Sequence, residues 1–167
     1  FALRLAQLLD PAVFDVSICA IWSHDSPIER RWKKKMEDQG FPVFFATHYR
    51  SQFRRDLEMA YLGAYPIIWR LRPDILNSHT ESPDMVGAAI KLTGGVRRLV
   101  RTSHNSLEWS FDRRIWRMTS RIYPLVCDRE VGVSLLVAEI LNTSPVARLL
   151  HKHAPFVANG VDADAVL

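Results

Sequence analysis

The chain has 167 residues, with 22 Lys plus Arg against 18 Asp plus Glu and a formal net charge of +4. At 48% hydrophobic and 24% charged residues, its composition excludes disordered, collagen-like and low-complexity classes. A chain of this length buries roughly 70% of its unfolded surface without needing a disulfide scaffold.

The charge excess is spread over many segments instead of being gathered in one stripe, so nucleic acid is not an expected partner. Cys19 and Cys127 lie in separate apolar runs with no CxxC pair, which points to neither zinc nor redox chemistry. No run approaches the ~18 apolar residues of a spanning helix, and no secretion signal is visible. The expected setting is cytoplasmic.

The first ten residues, FALRLAQLLD, place Phe1, Leu5, Leu8 and Leu9 on one helical face and stop at Asp10-Pro11. No helix start signal precedes Phe1, so the pattern suggests that the sequence opens inside a longer one. FDVSICAI over 14–21 is a β-branched apolar run suited to a parallel strand buried on both faces. Ser26-Pro27 then caps a polar helix that Gly40 closes. Residues 41–46 are a second strand. A long helix over about 51–71 is expected to kink or break near Pro66 and to end at Arg72-Pro73.

Residues 74–79, DILNSH, form a short strand with a polar end, and Ser82-Pro83 opens a helix running to Gly94-Gly95. The strand over 98–102 ends in a second polar cluster, Ser103-His104-Asn105. A helix over about 109–123 leads to a strand near 128–133, and Ser134 caps the next helix. A short helix at about 145–151 and a closing strand at 156–158 complete the pattern.

Strands alternating with helices in this way make right-handed βαβ units, and the expected class is α/β, a Rossmann-like parallel sheet with helices on both faces. Ligands bind such sheets beyond the carboxyl ends of the strands. Asn77 to Glu81, Thr102 to Asn105, Ser134 and Asn159-Gly160 all fall on that edge.

The chain contains no GxGxxG, GxxxxGK[ST], HExxH or GxSxG, which removes most of the weight from the dehydrogenase, P-loop, zincin and α/β-hydrolase readings. Asp162-Ala163-Asp164 matches a DxD metal-binding tripeptide, but a turn explains its acidic residues equally well. His151 and His153 lack a third ligand nearby and are better read as a solvated helix end. No metal and no cofactor is expected. Two basic-aromatic segments stand out: Arg30 to Lys35 around Trp32, and Trp109, Phe111, Trp116 and Tyr123 interleaved with Arg113, Arg114, Arg117 and Arg121. The first is foremost a solvated helix face that also suits peripheral contact with anionic lipid headgroups. The second, beyond its share of core aromatics, suits an acceptor groove.

In their order and spacing, RPDILNSH (72–79), VRTSHNS (100–106), VGVSLLVAEIL (131–141) and NGVD (159–162) resemble the N-terminal domain of GT-B fold glycosyltransferases of the family 4 type. The likeness spans nearly the whole chain. It implies retaining transfer of a sugar from a nucleotide-sugar donor to a glycan, lipid-linked or small-molecule acceptor, in a cleft between two Rossmann-like lobes. It also implies one acceptor-side domain over 1–167, with the family's first strand expected just before Phe1 and the donor-binding domain beyond Leu167. Without that strand, the fragment is expected to be poorly stable and by itself inactive. A cytoplasmic place at the inner membrane face, in cell-envelope polysaccharide synthesis, follows as an expectation.

By this resemblance His104 matches the cleft histidine beside the donor sugar and is the candidate catalytic residue, able to orient the sugar or to stabilise positive charge at the anomeric carbon. Thr102 and Asn105 shape the same loop. His79 and Glu81 match the rim after the preceding strand, where the family often has its histidine at the position of Asn77. Ser134 caps its helix, whose N–H groups suit an anionic group. Asn159 and Gly160 shape a turn near the substrate. The competing reading is a non-catalytic α/β binding module lacking the donor half. Two spaced glutamates in a following α/β domain would separate the enzyme from the module.

Overall fold

The computed structural model describes residues 2–110 and 112–158. The chain is α/β with parallel strands in two open sheets flanked by helices, a Rossmann-like arrangement. It divides into two compact units, residues 1–73 with 93–96, and residues 74–92 with 97–167. No helix among the described residues is long and apolar enough to cross a membrane.

The first unit contains α1 (Ala2–Leu8), β1 (Ile18–Ser23), α2 (Pro27–Asp38), β2 (Val43–His48) and α3 (Phe53–Leu71). β1 and β2 pair in parallel from Ile18↔Val43 to Ser23↔His48. The first strand begins later than its apolar pattern suggests. Asp10 accepts the N–H groups of Val13 and Phe14 on its carbonyl and that of Ala12 on its carboxylate, so a turn consumes the start of the run. Ser26 caps α2 through the N–H of Glu29, with Pro27 in the first turn as the sequence requires. The basic run of α2 is exposed apart from half-buried Lys33, while Met36 is buried.

Helix α3 buries Asp56, Ala60, Ala64 and Ile68, one residue in every four, which is one stripe of a helix. It runs unbroken through Pro66, correcting the expected break; the ring removes one backbone donor, and packing of the stripe on β1 and β2 holds the rest of the helix together. Gly63 allows the approach: a Cβ there would lie 1.9 Å from the Ala46 carbonyl oxygen on β2.

The second unit carries β3 (Ile75–His79), α4 (Glu81–Leu92), β4 (Arg98–Ser103), α5 (Arg113–Val126), β5 (Arg129–Gly132), α6 (Leu135–Asn142) and α7 (Pro145–Leu149). The strand order is β3-β4-β5, all parallel, with Leu76↔Leu99, Ser78↔Arg101, Arg101↔Glu130 and Ser103↔Gly132 in register. Strand alternation puts these residues on one face, and α4, α5 and α6 all meet that face. Gly87 of α4 lies over Leu76, Ser78 and Leu99, and Gly132 faces the backbone of Ala138 on α6. Ala88, Leu99, Tyr123 and Cys127 form a buried cluster, with Leu76, Met85 and Val126 against it.

β2 lies two residues later than the sequence pattern suggests, and in the second unit α5 and the closing strand depart from it most. α5 starts at Arg113 because the Asp112 carboxylate caps it, accepting from the N–H groups of Arg114 and Ile115. Trp109, expected in its first turn, instead sits buried at a positive φ of 52° in the preceding turn. The closing strand reduces to a single parallel bridge, Gly132↔Phe156.

Candidate functional site

Parallel strands all end at the same edge, so the polar residues after β3, β4 and β5 converge there. His79 and His104 end adjacent strands, and His79 Nδ1 lies 3.2 Å from His104 Nε2, close enough to share a proton. Their rings are tilted at 47° with centroids 5.5 Å apart. Burial and then the neighbouring His104 lower the His79 pKa from 6.5 to about 4. His104 is also held below the ordinary histidine range, by desolvation first, with Glu108 and Glu81 pulling the other way. Both shifts favour the uncharged ring, and a neutral imidazole can donate from one nitrogen and accept at the other.

The other rim residues join this pair. Asn105 donates its amide to Glu81 Oε1 at 3.1 Å. Thr102 donates its hydroxyl to Asn77 Oδ1, also at 3.1 Å, across the β3–β4 boundary. Thr80, between His79 and Glu81, has a φ of 73°, a costly conformation for a β-branched residue. This reversal turns the chain from the end of β3 into α4 and carries Glu81 to the rim. Ser134 accepts from the N–H of Val137 at 3.2 Å and so serves as the N-cap of α6. The preceding Val133 N–H donates to the Ser103 carbonyl, which ties that cap to the end of β4. Asn159 and Gly160, with the rest of NGVD and the 162–164 tripeptide, lie outside the described residues. Among the described residues, no group of three or more His, Cys, Asp or Glu side chains could hold a metal ion.

On the opposite, helix-bearing face of the same sheet lies an ionic cluster that the sequence reading did not single out. Arg101 is 1% exposed. Its Nε donates to Asp84 on α4 at 2.8 Å, one terminal nitrogen donates to Glu130 on β5 at 2.7 Å, and the other pairs with Glu108. The guanidinium also lies 4.3 Å from the Tyr123 ring centroid, over its face.

One cation shared among three carboxylates leaves negative charge in excess. Burial outweighs the attraction of Arg101 at Asp84, whose carboxyl rises from 3.8 to about 7, and Glu130 is raised for the same first reason. Arg101 responds oppositely: burial alone would lower its pKa, but Asp84, Glu108 and Glu130 together raise it. Cys127, under the same helix, is pushed up to about 12 by burial and is not a nucleophile.

Above this cluster, between α5 and α6, opens a cavity of about 120 Å³ that reaches Ser103 and Asn105 at the end of β4. Arg101 stands two residues after Leu99, and Asp84 three before Gly87, so strand and helix spacing set both beside the core once the buried side of each element is known.

Neither any protein-family model nor any curated protein sequence matches this chain.

Proposed function

We propose that the chain is the acceptor-side domain of a retaining glycosyltransferase, in which sugar passes from a nucleotide-sugar to a hydroxyl-bearing acceptor at the rim formed by β3 and β4. The observation that carries this reading is the neutral His79–His104 pair at the strand ends, flanked by the Asn105–Glu81 contact. An uncharged imidazole beside a transferring sugar can hold a ring hydroxyl in place without repelling the positive charge that develops at the anomeric carbon, which an imidazolium would do. His104 takes that role, His79 positions it through the shared proton, and Glu81 and Asn105 offer an acceptor and a donor to sugar hydroxyls. The nucleotide-sugar is held by a further α/β lobe, as the resemblance implies.

The test is sugar transfer by the complete gene product, assayed as release of nucleoside diphosphate from a panel of uridine and guanosine diphosphate sugars. His104→Ala is expected to lower kcat about 100-fold or more with the fold unchanged by circular dichroism. Absence of transfer with every donor, or a His104→Ala enzyme as active as the parent, overturns the reading.

A further inference from the structure

We propose that the cavity between α5 and α6 is a binding site for a small organic ammonium ion, a primary amine in its protonated form. This site is independent of the sugar-transfer reading, and the charge and hydrogen-bonding groups left over in the cavity select its ligand.

Many of the donors around it are already engaged. All three nitrogens of the Arg101 side chain are engaged by carboxylates. Ser103 donates its hydroxyl to Glu108, Thr119 donates to the carbonyls of Ile115 and Trp116, and Ser120 donates to that of Arg117. Pro124 has no N–H for the Ser120 carbonyl one turn before it, and the Ser144 hydroxyl fills the vacancy at 2.8 Å. Beside the remaining Arg101 N–H groups and the Tyr123 hydroxyl, the lining offers carboxylate and hydroxyl lone pairs that suit a ligand carrying donors.

Charge points the same way. Even with Asp84 protonated, Glu108 and Glu130 together carry one more charge than Arg101 offsets. A second and separate observation marks the space as a ligand site: Tyr123 lines it, is 2% exposed, and its hydroxyl has no hydrogen-bond partner. A phenol buried without a partner is costly, and an ammonium N–H donated to its oxygen satisfies its acceptor side and lowers that cost. Trp116, on the same wall, adds an aromatic face of the kind that attracts organic cations.

Size limits the ligand. The volume is somewhat below the ~150 Å³ void that accommodates benzene, so an ammonium head with about three carbons fits, alone or as the end of a longer molecule. The carboxylates are arranged around the guanidinium instead of converging on a point, which suits a group with spread N–H donors better than a compact metal ion.

The test uses the complete gene product and n-propylammonium as probe, followed by saturation-transfer NMR, with 1-propanol as the uncharged match in shape. Saturable binding of propylammonium with a Kd of about 1 mM is expected, and 1-propanol should bind at least about tenfold more weakly. Tyr123→Phe keeps the ring against Arg101 and removes a hydroxyl with no protein partner, so it should fold as the parent does and weaken the amine about fivefold. Equal binding of the amine and the alcohol, no saturation up to about 100 mM amine, or an unchanged affinity in Tyr123→Phe each overturns the proposal.

Discussion

Asp84→Asn isolates the cost of the excess carboxylate in the buried cluster. The Asp84 side chain is 0% exposed and accepts from Arg101 Nε at 2.8 Å; asparagine keeps an acceptor oxygen there and cannot ionise. Because the folded-state pKa of Asp84 is raised from 3.8 to about 7, the native protein holds a proton that the unfolded chain has released. Its contribution to stability is therefore fully present below pH 3.8 and is lost as pH rises through 7. At about 1.4 kcal/mol per tenfold change in the ionisation constant, the ceiling is about 4 kcal/mol, of which about 3 kcal/mol falls between pH 5 and pH 8. Urea unfolding of both proteins, followed by circular dichroism at the two pH values, gives the difference directly. His79, Glu130 and Asp128 titrate in both proteins and cancel to first order. Asp84→Asn should gain about 3 kcal/mol relative to the parent on going from pH 5 to pH 8. A gain under about 1 kcal/mol, or a change of the opposite sign, would refute the account of Asp84 as a proton-holding carboxyl.

Gly132→Ala should destabilise the second unit by about 1–3 kcal/mol in urea, because a Cβ at that position lies 2.5 Å from the Ala138 nitrogen and 2.8 Å from its Cα, and α6 must move away from β5. Ser134→Ala removes the hydroxyl that accepts from the Val137 N–H and should cost about 1 kcal/mol; an unchanged urea midpoint would show that the cap contributes nothing. The ring protons of His79 should hold constant NMR shifts from pH 8 down to about pH 5, since its pKa is lowered to about 4, whereas a midpoint near 6.5 would contradict the desolvated pair.

The α/β alternation was legible because it rests on periodicity and turn residues, and these are local. The convergence of His79, Glu81, Thr102, His104 and Asn105 on one edge was legible for a related reason: parallel strands deliver their C-terminal ends to the same side. Exact starts were not, since a single side chain decides them. Asp10 diverts the run that leads into β1, and Asp112 instead of Trp109 opens α5. The ionic cluster escaped because its members, Asp84, Arg101, Glu108 and Glu130, are scattered over 47 positions and read individually as surface residues. Only their placement on the inward side of β4, β5 and α4 distinguishes them, and that requires knowing which side each element buries. Tyr123 was noted as one of a set of aromatics, while its unpartnered hydroxyl is a property of packing that no pattern displays.

Arg101 also bears on how β4 finds its place between its neighbours. RLVRTS is a short strand with few apolar side chains, and oil-like attraction by itself would discriminate weakly among possible alignments. Sliding it by one residue would turn the guanidinium to the far side of the sheet and strand Asp84, Glu108 and Glu130 with no counter-ion. An uncompensated buried charge costs several kcal/mol, so the misaligned competitors are penalised far more heavily than a lost leucine contact would penalise them. The cluster thus works as a key cut for one position of the strand.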